Sequence, residues 1–312
     1  MTGFLGLLGQ KLAERWLTLL VLPGALYLAA AACARALGQT HPFAVSRISG
    51  RITTWSHSGT AATTAGQVLV LAGILAGAAA GGLAAQALGS AVERGVLAAD
   101  WGQWPFPARN LAARRTASRR ARWDAVHEEY SALYRAAGPT GAPVTDEDRD
   151  RRLAAWHRRA RIAAERPARP SWSGDRINAA AVRLKRDRHL DMGTLWPHLW
   201  LTMPETTRIQ ITDARQDLAR ATALGGWAFL YAALTWWWWP AAVLAAVLAT
   251  VARHRIRAAT DTYATLLEAA ARLHTGALAT SLGVSDADST GAESGDVVMS
   301  LLSPLPPPLA GD

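Results

Sequence analysis

The chain has 312 residues, half of them hydrophobic, and a formal charge of +9 from 33 Lys and Arg against 24 Asp and Glu. One cysteine, Cys33, rules out an intramolecular disulfide and any cysteine-built metal knuckle. The apolar residues gather near 16–34, 66–92 and 221–252, with most of the charge between the last two blocks, which excludes an evenly patterned soluble globule and predicts an all-α integral membrane protein.

Lys11 and Arg15 lead into the first block, Trp16 to Ala34, whose 19 residues exceed the roughly 7 to 15 of a signal-peptide core. A retained anchor is expected, although Ala32 and Ala34 would also suit a cleavage site. Residues 1–92 read as a two-span membrane region with an outer loop, 38–65, in which Arg47 and Arg51 are the basic residues. Along the second block Gly73, Gly77, Gly81, Ala85 and Gly89 recur every four residues. Small residues at that spacing let another helix backbone approach, which matters in lipid, where apolar side chains gain little from burial. Packing against the first or third block of the same chain is the expected use, and a homo-oligomer seam the alternative.

Residues 93–220 hold 24 of the 33 Lys and Arg and 16 of the 24 acids. Because basic residues collect on the cytoplasmic side of spans, this segment is expected to be an Arg-rich cytosolic helical domain, and both termini to be cytoplasmic. "WGQWPFP" supplies Trp101 and Trp104 as interface anchors, with Phe106 beside them. Arg109, Arg114, Arg115, Arg119, Arg120 and Arg122 follow at the level of anionic lipid headgroups, where each basic residue is worth about 1 kcal/mol. Acids interleaved further along argue against nucleic acid as the partner.

Trp123, Val126, Tyr130, Leu133, Tyr134 and Ala137 keep a spacing of three and four, which predicts an amphipathic helix stopping at Gly138 and Pro139. "VHEEY" at His127 begins like a zinc-protease motif and lacks the second histidine. Thr145 with Asp148 reads as a capping pair for a second helix, whose apolar stripe is Leu153, Trp156, Ala160 and Ala163. The two are predicted to form an antiparallel hairpin.

A short helix is expected over 175–188. "DRHLDMGTLWPH" then places Asp187, His189, Asp191 and His198 within twelve residues, a set that could bind zinc or exchange protons. The spacing fits no metal template, and capping of helix ends is the plainer use. There is no P-loop, GxGxxG, HExxH or GxSxG, so no catalytic residue, cofactor or metal is assigned. Thr202, Pro204 and Glu205 signal the start of a helix running into the third block.

That block contains Trp236, Trp237, Trp238 and Trp239 followed by Pro240. From Ala221 to Val251 it has 31 residues, about 46 Å as one straight helix and too long for a hydrocarbon core of about 30 Å. One crossing would also place Arg253, Arg255 and Arg257 outside. A membrane hairpin over 221–257 is therefore expected, turning at the outer interface where tryptophan is favoured, for four membrane segments in all. Residues 258–284 read as a cytosolic amphipathic helix with Tyr263, Leu266, Leu267, Ala270 and Leu273 on one side. Residues 285–312, acidic and proline-rich, read as a disordered tail.

The stretch "RDRHLDMGTLWPHLWLTMPE", followed by "ALGGWAFLYAALTWWWWPAAV", resembles a group of uncharacterised multi-pass membrane proteins of high-GC actinobacteria. The resemblance implies a final hydrophobic pair and carries no activity; His198 and Met203 depart from the arginine and leucine usual in that group. A non-enzymatic membrane anchor or scaffold is expected, its basic domain docked on anionic lipid and holding a protein partner. The alternatives are a channel or membrane-perturbing effector and a membrane-bound enzyme acting on a lipid-linked substrate.

Overall fold

The computed structural model describes residues 21–44, 50, 63–135, 145–284 and 292–302. Every regular element among them is helical: α1 (Leu22–Leu37), α2 (Thr64–Leu97), a 3-10 turn (Trp101–Gln103), α3 (Ala108–Arg135), α4 (Asp146–Ile162), α5 (Trp172–Arg188), α6 (Met192–Thr202), α7 (Glu205–Leu234), α8 (Pro240–Ser281) and α9 (Ala292–Leu302). Lys11, Arg15, Arg47, Arg51, Ala137 and the Gly138–Pro139 stop lie outside the described residues. The chain divides into two compact units, residues 1–93 with 219–255 and residues 94–218 with 256–312. Each division falls inside a helix, near the point where an apolar run gives way to arginine.

In the first unit, small residues bring backbones together. A Cβ on Gly24 of α1 would lie 2.0 Å from the Ala78 carbonyl of α2, and one on Gly226 of α7 would lie 2.2 Å from the Ala85 carbonyl. Gly77 and Gly81 face Leu28 and Tyr27 of α1, and Gly89 faces Ala223 of α7. Gly73 is a correction: a Cβ there would meet nothing within 4 Å. A row of residues every four positions drifts about 40° around an α-helix per step, so the far end of a strict series leaves the contact face. The buried line is Ala78, Gly82, Ala85 and Gly89, spaced four, three and four.

The tryptophan run is a turn. α7 ends at Leu234, whose carbonyl accepts from the amides of Trp237 and Trp238, and α8 starts at Pro240. Gln39, just beyond α1, fastens it: its Nε2 donates to the Thr235 and Trp236 carbonyls at 2.8 and 3.0 Å, and its Oε1 accepts from the Trp239 amide at 3.2 Å. Trp238 Nε1 donates to the Pro42 carbonyl, while the Trp236 side chain stands 83% exposed.

In the second unit α3 and α4 form an antiparallel hairpin, with Asp124, His127 and Glu129 bonded in reverse order to Arg166, Arg159 and Arg158. Thr145 caps α4, its Oγ1 accepting from the Asp148 amide. The predicted stripe of α4 is corrected: Leu153 and Trp156 are exposed, and Ala155 is buried instead. The inward side of α4 carries Arg159, whose guanidinium lies 5.0 Å from the Tyr130 ring centre and 5.6 Å from that of Trp123. Counting arginine as polar hides this face, because its stem and flat guanidinium pack well on aromatic rings.

Leu184, Leu190, Leu195, Leu199, Leu278 and Val298 build the main core of this unit from α5, α6, the link between them, α8 and α9. Five further expectations are corrected. The helix expected from 175 begins at Trp172 behind a Ser171 cap. Thr202 donates back to the Leu199 carbonyl and does not cap α7. No break separates 221–257 from 258–284, since α8 runs through both, and Leu273 is exposed. The tail is not disordered throughout: residues 292–302 form α9, where Val298 is buried and Gly295 comes so close to the Arg188 carbonyl that a Cβ would sit 1.7 Å from it. The acidic, proline-rich average of 285–312 conceals the amphipathic stretch "DVVMSLL".

Replacing Gly226 by Ala should destabilise the protein by about 1–3 kcal/mol through overpacking. Gly73→Ala should be neutral or gain up to about 1 kcal/mol from helix propensity. Thermal unfolding in detergent measures both, and equal losses would refute the close backbone contact.

Candidate functional site

The densest polar construction lies where α3 and α5 hold the connecting loop 163–171. Asp175, in the first turn of α5 and 4% exposed, accepts from the backbone amides of Ala168 and Arg169 at 2.8 Å each and from Arg119 Nη2 at 2.7 Å. α3 supplies the complementary donors. Arg119 also donates to the Ile162 carbonyl, Arg120 to that of Pro167, and Trp123 Nε1 to that of Ala163. Trp101 Nε1 donates to the Ala168 carbonyl. Ser171 Oγ donates to the Val96 carbonyl and Arg169 to that of Leu97, so the loop also satisfies carbonyls at the end of α2. Burial pulls the Arg169 guanidinium below its ordinary value, with Asp175 and Asp100 opposing.

This network corrects part of the headgroup assignment. Arg119 has its side chain 11% exposed and paired with Asp175, and Arg120 and Trp101 are bonded to the loop. Arg109, Arg114, Arg115 and Arg122 are exposed, and Arg122 donates to its own helix at the Ser118 carbonyl. Trp104 is half-buried. The separation follows helical geometry. Ala112, Thr116, Arg119 and Trp123 face inward, and Leu111, Arg115, Ser118 and Arg122, each one residue earlier and so about 100° around the helix, line an exposed flank with the same four, three, four spacing.

Asp187, His189, Asp191 and His198 do not converge. Asp187 pairs with Arg186, and His189 closes α5 in a left-handed conformation with Nδ1 3.0 Å from Asp296 of α9. Asp191 caps α6 by accepting from the Thr194 amide at 3.0 Å, and His198 Nδ1 lies 3.1 Å from the Thr194 carbonyl. The Thr194 amide is the main cause holding the Asp191 carboxyl below the usual range. Among the described residues no group of three or more His, Cys, Asp or Glu is placed to hold a metal ion.

Sequence reasoning missed Gln39 and Asp175. Ser171 with Gly174 and Asp175 carries a readable helix-start signature, whereas the partners of Gln39 lie nearly 200 residues away. The comparisons with protein families, with curated proteins and with solved structures each return no match.

Asp175→Ala should lower stability by about 3–5 kcal/mol, because it leaves Arg119 buried without its counter-charge. Arg115→Gln on the same helix should stay within about 0.5 kcal/mol. Denaturant unfolding checks both, and similar losses would refute the inward and outward division. Asp191→Ala should cost about 1 kcal/mol at neutral pH. Since the folded-state pKa of Asp191 is lowered, its contribution is complete above the unfolded value and fades as pH falls through the folded one. A parent-to-variant difference that grew on acidification would contradict the cap.

Proposed function

We propose that the chain is a non-enzymatic multi-pass protein of the cell membrane, an anchor or scaffold with both termini in the cytoplasm. α1, α2 and the two arms of the tryptophan hairpin lie in the bilayer in this reading, and the Arg-rich helical unit meets anionic headgroups and a protein partner. The carrying observation is α2. Among the described residues it is the one helix long and apolar enough to cross a membrane, with a window of mean hydropathy 2.2 of which only 17% is buried within the chain. A helix serving as a soluble core would be covered; here Val68, Leu69, Leu71, Ile74 and Leu75 are all exposed, at a cost in water of roughly 25 cal/mol per Å². Lipid removes that cost.

Four further features favour four membrane segments. α1 is a shorter apolar helix that packs its glycine on α2. The hairpin arms expose Phe229, Val243, Leu244, Val247 and Val251. The arm from Pro240 reaches about 27 Å by Arg257 if its arginines extend to the headgroups. Exposed Trp236, Trp237 and Trp239 suit the outer interface. For the protein partner, Leu153 and Trp156 on the outer side of α4 offer apolar contact.

Topology tests the reading, because Cys33→Ser yields a cysteine-free chain. The protein should resist carbonate extraction. Trp236→Cys should react with an impermeant maleimide in intact cells, and Ala154→Cys only after permeabilisation. Release by carbonate or the reverse labelling pattern would overturn it.

A further inference from the structure

The exposed side of α3 combines two features that the folded core does not use. Phe106, just before the helix, is 77% exposed, and Leu111 in its first turns is 64% exposed. Arg109, Arg114 and Arg115 stand exposed around them and form no ion pair among the described residues. From Trp101 to Trp123 the chain contains six arginines and no carboxylate. α4 differs: its acids pair with arginines on the same helix, Asp146 with Arg149 and Glu147 with Arg151. With Arg119 and Arg120 committed to the loop, the remaining cations share one sign, and Arg114, Arg115 and Arg122 fall within about 100° of one another on the exposed side that carries Leu111.

We propose that this outward row is an interfacial lipid-binding element. Phe106 and Leu111 enter the headgroup region, and Arg114, Arg115 and Arg122 bind the phosphates of anionic lipids. The inference rests on the membrane reading above and goes further by dividing the arginine cluster between two jobs. Charge complementarity selects an anionic surface, and the exposed phenylalanine and leucine select a bilayer over nucleic acid, since an apolar side chain gains by entering the acyl boundary. The unpaired guanidiniums follow α2 closely in sequence, and the last carbonyls of α2 are bonded to the same loop that Arg119 and Arg120 hold. Contact should therefore depend on anionic lipid and weaken with salt.

The test uses the full chain carrying Cys33→Ser, with an environment-sensitive fluorophore on Leu111→Cys or, as control, on Ala154→Cys. Each is reconstituted in vesicles of phosphatidylcholine alone or of equal parts phosphatidylcholine and phosphatidylglycerol. The label at 111 should shift to the blue and be quenched by lipid-borne quencher in the anionic vesicles, while the label at 154 stays unchanged. Triple replacement of Arg114, Arg115 and Arg122 by Gln should abolish the shift, with about fivefold weaker response per arginine removed. Phe106→Ser should reduce quenching without removing the salt dependence. A label at 111 that behaves like 154, or equally in both vesicles, overturns the proposal. Protection of that label by an oligonucleotide but not by anionic lipid would assign the row to nucleic acid, which also overturns it. Carbonate extraction of the same samples separates the failures: protein that resists extraction yet keeps a polar label fails this proposal alone, whereas extracted protein fails the membrane reading itself.

Discussion

The Asp175 carboxylate organises the second unit more than any other single group. The loop 163–171 contains Pro167 and Pro170, cannot form a regular ladder, and is nonetheless partly buried. Its amides and carbonyls must find side-chain partners, since an unpaired buried polar group costs about 1–3 kcal/mol. Asp175 takes two amides, and its remaining oxygen takes Arg119, which in turn reaches the Ile162 carbonyl. α3, α5 and the loop are thereby fixed by one acid. Removing it would leave two amides without an acceptor and the Arg119 guanidinium without its counter-charge, which makes the carboxylate hard to replace by any neutral group.

The first unit solves a different problem. Its helices leave many apolar side chains exposed, so side-chain burial alone does not specify their arrangement, and close backbone approach does the specifying. Gly24 against Ala78 and Gly226 against Ala85 admit no Cβ, so register follows from where a side chain is missing. The polar ends need separate attention. A turn of five residues leaves the Thr235 and Trp236 carbonyls and the Trp239 amide open, and one glutamine satisfies both kinds with its two amide atoms. Gln39 is suited to this because its planar amide presents a donor and an acceptor side by side.

Legibility in the sequence followed the range of each interaction. The helix starts at Thr145 and Glu205 were readable because capping and first-turn chemistry are local. The turn at Trp236–Trp239 was readable because Pro240 is a local helix-start signal inside an apolar run of 31 residues. The inward side of α4 was not, since Arg159 ranks as polar until Trp123 and Tyr130 are known to lie opposite. α9 was hidden by averaging, because eleven amphipathic residues between a polar stretch and a proline run do not move the composition of a long tail. For the candidate surface, residue types were visible while their division was not. Arg114, Arg115, Arg119, Arg120 and Arg122 look alike in a string, and separating them needs both the helical phase and the position of a loop more than 40 residues on.

That division bears on what an Arg-rich segment means. Positive charge in a sequence is commonly read as an outward field, yet in this unit much of it is spent internally. Arg183 joins Glu165 to Glu268, Arg176 meets Asp261, and Arg257 lies over the Trp172 ring. These arginines bind α8 to α5 and contribute little to attraction at a distance, because each is neutralised or packed where it stands. Net charge therefore overstates the surface that a partner would meet. The more informative quantity is the length of chain without a carboxylate, which here runs from Trp101 to Trp123. Within that stretch the outward arginines have no internal acid to turn to, and any partner that neutralises them must bring its own negative charge.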